Sequence, residues 1–331
     1  MKKLFLHSLT PILLSISTIS CTKNIEQKQE KNVKNESKLY ENEHIAKMLK
    51  SYTSNKSDVA NIYISQQENL PYSKFSELKY AFVYDPIFIS KSVHNVGGEY
   101  QYLANTSKNV IKNTLSKDWY WTLNNIDKFK FIFNPYGDRY RAFNIEEKLF
   151  EHVKNELGSL IYSIKNTTPT KLITIPFQEI EQVARYNKFQ EKETWYLVYN
   201  NVALRIFKYK HNGNVVIQIH PDLLYFKDAT NIENELKSIE KEIYEKRKSK
   251  FEKDYQEEKE SAAEFEDEEF NEEQFIQQYT DDKFMEFQGI YQYNDYFVDA
   301  LNSRNKINTN SNDFDKDQFN IIRFSMRFVN E

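Results

Sequence analysis

Residues that could carry catalysis or hold a metal are few in this chain of 331 residues, and they lie far apart. With six glycines, the sequence has neither a glycine-rich phosphate loop nor a G-x-S-x-G nucleophile elbow. Adjacent acids such as Glu179 and Glu181 are too common to mark a glycosidase, which needs two carboxylates across a cleft. The histidines beyond the first twenty residues include no pair with zinc-ligand spacing: His44, His94, His152, His211 and His220. We therefore expect no cofactor, no metal and no catalytic residue.

The position of the one cysteine, Cys21, does indicate a chemical role. It follows a short cationic start, Met1-Lys2-Lys3, and an apolar stretch over residues 4–19, a pattern typical of a secretory signal. The stretch has sixteen residues, fewer than the roughly 20 that a membrane-spanning helix needs. A single cysteine also excludes a disulfide-stabilised scaffold.

The segment Thr18-Ile19-Ser20-Cys21 resembles the lipobox of bacterial lipoproteins, in which a small residue precedes an obligatory cysteine. In that family the cysteine thiol forms a thioether with a diacylglyceryl group, and cleavage between Ser20 and Cys21 makes the cysteine the new N-terminus. The match departs from the family at Thr18, where leucine is usual. An ordinary signal peptide cut elsewhere and a buried free thiol are the alternatives. We expect Cys21 to be lipidated, because it is the one cysteine of the sequence and lies at the expected place. Its partner would be the membrane, since two or more acyl chains anchor a protein stably.

A polar segment separates the lipobox from the rest of the chain. Residues 22–37 read TKNIEQKQEKNVKNES, with two aliphatic residues and no aromatic residue, so they cannot bury enough apolar area to fold. As a flexible coil they would reach about 20 Å, and a solvated helix is the alternative. We divide the chain into a signal peptide (1–20), a disordered tether (21–37) and a single α+β domain (38–331) with an acidic excursion at about 231–282.

The domain shows the patterns of both helices and strands. Apolar spacings of three and four predict helices near 43–52, 100–115 and 145–164. Alternating or β-branched runs predict strands at 128–133, 139–143, 171–175, 194–199, 202–210, 215–219 and 322–328. Residues 78–84 fit either a short strand or a buried helix. We expect His220-Pro221-Asp222 to end its strand in a turn, and the strand 322–328 to have a polar outer face. The fold class is α+β: a small antiparallel sheet packed with several helices plus one long charged helix.

Charge is distributed unevenly along the chain. The formal net charge is −4, which argues against a nucleic-acid partner. Residues 252–282 hold fourteen acids and two bases, so this segment carries −12. We expect a solvated loop there; a docking surface for a basic partner and a calcium site are the alternatives. Just before it, residues 231–259 predict a long helix with a narrow apolar stripe, which packs against the body or, alternatively, forms a dimer.

Aromatic residues are the remaining candidates for function. The chain has 23 tyrosines, 24 phenylalanines and three tryptophans, enough to build a core. Tyrosine and tryptophan are also favoured at binding surfaces. The aromatic residues in the densest clusters, which serve either the core or a binding patch, are Trp119, Trp121, Trp195, Tyr291 and Tyr293.

The leader, the Lys/Glu/Asn tether and the Lys-, Asn- and Ile-rich body together resemble a spirochaete surface lipoprotein of the borrelial S1/S2-antigen type, with mollicute lipoproteins as the competitor. The resemblance implies a lipid-anchored protein of the cell envelope, displayed on the outer surface, non-enzymatic, and binding host extracellular proteins such as complement or matrix components. The alternatives are an extracytoplasmic hydrolase acting on glycans and a dimeric structural envelope lipoprotein. The sequence leaves the oligomeric state open.

Overall fold

A computed structural model describes residues 38–83, 99–135, 146–264, 270–280, 289–308 and 313–330. The predictions for Ser20, Cys21 and the tether, and for a strand at 139–143, lie outside these residues. Residues 37–331 form one compact unit. In the described part of the chain, no helix is long and apolar enough to cross a membrane.

The helices follow the predicted apolar spacing closely at the start of the domain. Asn42 caps the first helix by accepting hydrogen bonds from the backbone N–H groups of His44 and Ile45. Residues 78–84, ambiguous in sequence, fall in a helix as far as Val83. The helices are α1 (Glu43–Tyr52), α2 (Ser57–Glu68), α3 (Ser73–Val83), α4 (Glu99–Ser116), α5 (Trp119–Asn124), α6 (Glu146–Leu157), α7 (Glu181–Ala184), α8 (Ile232–Glu264), α9 (Glu272–Gln277) and α10 (Gly289–Arg304).

Seven strands form one antiparallel sheet, which confirms the α+β class. The order across the sheet is β2-β1-β9-β6-β5-β4-β3, so the C-terminal strand lies near the middle. The strands are β1 (Phe129–Phe133), β2 (Ile161–Tyr162), β3 (Lys171–Pro176), β4 (Gln190–Tyr199), β5 (Val202–His211), β6 (Asn214–Phe226) and β9 (Ile321–Val329), and β7 (Ile307–Asn308) with β8 (Asp313–Phe314) forms a separate small pair.

Helices cover both faces of the sheet, and each face has its own core. On β4, Trp195 and Leu197 join the core beneath α1–α6, whereas Tyr196 and Val198 join the core beneath α8 and α10. This alternation is the period of two of a β-strand. The sheet is therefore buried on both sides.

The strand β9 does not have the polar outer face that its sequence predicts. Arg323 and Ser325 are 4% and 0% exposed, because α8 and α10 cover this side of the sheet. Both side chains find polar partners there: Arg323 Nη1 donates to the backbone carbonyl of Asn134 at 3.1 Å, and Ser325 Oγ donates to Asp222 Oδ1 at 2.6 Å. The alternating pattern correctly predicted a strand, but it did not predict that α8 and α10 would cover the polar side.

The predicted turn at His220-Pro221-Asp222 is wrong, because β6 continues through it to Phe226. Leu204 pairs with Leu223 and Ile206 pairs with Ile219, so Arg205 alone faces three residues of β6. Proline has no N–H to donate. At a bulge the backbone hydrogen bonds between the two strands are interrupted, so Pro221 is tolerated there.

The helix predicted over 145–164 is also too long. It ends at Leu157, and Gly158 takes a left-handed φ of 71° immediately after it. Ile161 and Tyr162 then form β2 and pair with β1. The apolar spacing continued past the helix because Leu160 and Ile164, which flank the short strand, also pack into the core beneath α1–α6, whereas Ile161 is 47% exposed.

The long helix is confirmed, and α8 has 33 residues, about 50 Å in length. Its apolar stripe, formed by Ile232, Leu236, Ile239 and Ile243, is at most 6% exposed and packs against the sheet. The apolar stripe is therefore buried against the sheet of the same chain. It is not exposed, as it would be if it were free to form a dimer.

The acidic segment is not simply a solvated loop. Its first part, to Glu264, continues α8, and residues 272–277 form α9. Lys250 pairs with Asp254 at 2.6 Å one helical turn away, and such pairs offset part of the repulsion. Phe275 and Ile276 of α9 are buried against Phe251 of α8 in a third, smaller core. Apolar contacts thus fold a segment that its charge alone would keep extended.

Candidate functional site

The aromatic residues singled out from the sequence are not on the surface where the structure describes them. Trp119 and Trp121 on α5 are 0% and 6% exposed, and Trp195 on β4 is 3% exposed. The ring of Trp119 lies 5.8 Å from those of Tyr52 and Tyr63. All three tryptophans build the core beneath α1–α6. Tyr291 and Tyr293 lie in α10, but their side chains are outside the described part.

Exposed apolar side chains are concentrated instead on α3 and α4. Lys74 at the start of α3 forms an ion pair with Asp118, just beyond the end of α4, at 2.6 Å. Phe75 likewise contacts Trp121 at a ring separation of 4.9 Å. The start of α3 therefore lies beside the junction between α4 and α5, and α3 packs against α4.

Four large apolar side chains are exposed on these two packed helices, and we name them the α3–α4 patch. Tyr80 and Val83 on α3 are 73% and 66% exposed, and Tyr102 and Leu103 on α4 are 71% and 37% exposed. Isolated exposed apolar residues are ordinary, but two tyrosines and two aliphatic residues exposed on one pair of helices are the residue types that proteins use for binding.

The sequence carried a signal for this patch. α3 buries Phe75, Leu78 and Phe82, and it also places Tyr80 and Val83 on its outer side. The helix is therefore apolar on both sides, and this same property made residues 78–84 look like either a strand or a helix. A surface helix normally has one apolar stripe, which packs on the core. The core does not require the second stripe, which Tyr80 and Val83 form.

A cleft of about 480 Å³ is the best candidate for an enzymatic site. It lies between α8 and the end of α10, and it contains three carboxylates, those of Asp228, Glu235 and Glu242. Glu235 accepts a hydrogen bond from Arg304 Nε at 2.8 Å, and Phe226 is the one aromatic residue in the lining. Among the described residues, no three side chains of the metal-binding types lie close enough to hold an ion. The cleft does not provide the aromatic-walled carboxylate pair that a glycan hydrolase would need.

A second group of polar residues lies between α8 and the sheet. The Arg205 guanidinium donates two hydrogen bonds to Glu240, at 2.8 and 2.9 Å, and the Tyr196 hydroxyl donates to the same carboxylate. Arg205 is 0% exposed, and burial, with Glu240 next, raises the pKa of Tyr196 well above its usual value. No pattern in the sequence indicates this arrangement, because its members come from β4, β5 and α8. The group joins α8 to the sheet through Arg205 and Glu240.

Comparison with known proteins adds the family. No curated protein and no solved structure matches the chain. A family model for the aromatic cluster surface proteins matches residues 18–271, more than half of the chain, and it begins three residues before Cys21. This chain, with its aromatic core of Trp119, Trp121 and Trp195, therefore belongs to the family of aromatic cluster surface proteins.

Proposed function

We propose that the chain is a lipid-anchored, non-enzymatic protein of the outer cell surface, of the borrelial S1/S2-antigen type. In this proposal it binds a host extracellular protein, such as a complement or matrix component, through the α3–α4 patch. The observation that carries the proposal is the exposure of Tyr80 and Tyr102 in a chain of a surface-protein family. The cleft beneath α10 offers no comparable support for catalysis.

The lipid anchor is tested by substituting the modified residue. Cys21→Ala should remove the thiol that takes the diacylglyceryl group, and the protein should move from the detergent phase to the aqueous phase in Triton X-114 separation. Ser20→Ala keeps a small residue before the cysteine and should leave the protein in the detergent phase. A Cys21→Ala protein that still partitions into detergent would contradict lipidation.

The binding proposal is tested by removing the two exposed rings together. Tyr80→Ser with Tyr102→Ser should weaken capture of the host partner at least tenfold, because buried aromatic anchors each contribute more than about 1 kcal/mol. The measurement is a pull-down from host serum and extracellular matrix, followed by titration of the captured protein. Both changes are at the surface and should leave thermal unfolding nearly unchanged.

A matched control lies at the other end of α3. Tyr72 is 64% exposed and is not part of the α3–α4 patch, so Tyr72→Ser should bind as the original chain does. Equal losses in Tyr72→Ser and in the double variant would argue against a defined patch. Failure to capture any partner with the unsubstituted chain would count against the binding function as a whole.

A further inference from the structure

The inference concerns His220, which lies in the bulge of β6. The side chain is 1% exposed and lies between the rings of Phe207 and Phe297, each centroid 6.0 Å away. Among the described residues, neither ring nitrogen makes a hydrogen bond, although Nδ1 lies 3.3 Å from Asp222 Oδ2. A buried histidine without hydrogen bonds is uncommon, because unsatisfied polar groups are costly.

Charged groups surround this ring from several elements. Asp222 follows it on β6, Arg205 faces it from β5, and Arg323 faces it from β9. Arg323 Nη2 lies 3.0 Å from Asp222 Oδ2, and Arg205 is paired with Glu240 of α8. The two arginines and the two carboxylates have a net charge of zero. The whole group is therefore neutral only while His220 is uncharged.

The histidine is therefore hard to protonate in the folded chain. Burial lowers its pKa to about 3; Asp222 acts in the opposite direction, and the two arginines lower the pKa further. An unfolded histidine titrates near pH 6.5. Between these values the unfolded state binds more protons than the folded state, so the free energy of unfolding falls as the pH falls from about 6.5 toward 3.

The groups around His220 join two helices to the sheet. Phe297 comes from α10, Glu240 comes from α8, and the arginines come from the sheet. α8 and α10 are also joined to each other by the ion pair between Glu235 and Arg304. Protonating His220 would place an uncompensated positive charge beneath both helices, on the side of the sheet opposite to the three tryptophans.

We propose that His220, with Asp222, Arg205, Arg323 and Glu240, is an acid-sensitive latch that holds α8 and α10 on the sheet and releases them on acidification. Release would expose the apolar residues of α8 and Phe297 while the opposite core, with its tryptophans, stays packed. The proposal does not depend on the binding function of the α3–α4 patch.

The test is hydrogen–deuterium exchange of the full chain at pH 7 and pH 5, corrected for the intrinsic effect of pH on exchange. In the unsubstituted chain, the protection of peptides from α8 and α10 should fall about 20-fold between pH 7 and pH 5. A histidine pKa of about 3 in the closed state and about 6.5 in the open state requires a change of this size. Peptides from β1, and the fluorescence of the tryptophans, should change little. Equal loss of protection throughout the chain would show global unfolding and would overturn the latch.

Two variants and a control assign the effect to His220. His220→Phe fits between two aromatic rings and cannot be protonated, so α8 and α10 should lose less than threefold protection between pH 7 and pH 5. If that variant does not fold, His220→Gln provides the same test with a neutral polar side chain. His211→Gln, on the neighbouring strand β5, should retain the 20-fold loss. A 20-fold loss in the His220 variants would overturn the proposal.

Discussion

Glu240→Ala should destabilise the chain by about 3–5 kcal/mol, because it leaves the buried Arg205 guanidinium without its carboxylate. Glu240 accepts both hydrogen bonds from Arg205 and one from the Tyr196 hydroxyl, so one substitution removes three interactions in the core beneath α8. The measurement is urea denaturation followed by circular dichroism, with the slope compared to show that the unfolded state is unchanged.

Replacing the whole polar group separates charge burial from packing. A triple variant with Arg205→Met, Glu240→Leu and Tyr196→Phe removes all three members of this hydrogen-bonded group together, and we expect it to be within about 1 kcal/mol of the original chain or more stable. A triple variant as unstable as Glu240→Ala would mean that the ion pair itself, rather than the penalty for an unpaired charge, supports this layer.

Trp119→Ala should cost about 3–5 kcal/mol of stability, the usual range for deleting a large buried ring. The side chain is fully buried and its ring packs edge-on against Tyr52 and Tyr120, at 5.8 and 6.0 Å. Its Nε1 atom has no hydrogen-bond partner among the described residues. Trp119→Phe should therefore cost clearly less, since it retains most of the apolar contact. Urea denaturation of both variants measures the difference.

The surface provides the comparison for this core substitution. Tyr102→Ala removes an aromatic ring that is 71% exposed, and it should change the free energy of unfolding by less than about 0.5 kcal/mol. A Trp119→Ala variant that is as stable as Tyr102→Ala would mean that Trp119 is not a core residue, and it would revive the sequence-based reading of the Trp119 cluster as a binding patch.

Helices with a regular apolar stripe were the elements best predicted from sequence. α1 and α8 were placed within a few residues because apolar spacings of three and four occur along each of them. This signal is local, so a single chain segment contains it. The end of α6 was missed because the apolar residues after Gly158 lie in or beside a short strand and continue the helical spacing by coincidence.

The candidate binding residues were harder to predict because composition does not reveal burial. Trp119 and Tyr80 are both aromatic residues in apolar runs, yet one is fully buried and the other is 73% exposed. The difference depends on which helix face meets the sheet and on how α3 and α4 pack against each other. Neither can be obtained from the spacing within one segment.

The sequence by itself determined the α+β class of this protein and the long charged helix α8, whereas the lipidation of Cys21 stays a prediction. The class and the helix follow from periodicity and composition, which act over a few neighbouring residues. The tertiary structure decided which aromatic rings are buried, that α8 covers the sheet instead of a second chain, and that His220 lies among Arg205, Arg323 and Asp222. These properties depend on strands and helices distant in sequence, and burial, which sets the free energy of each charge and each ring, exists only once they pack.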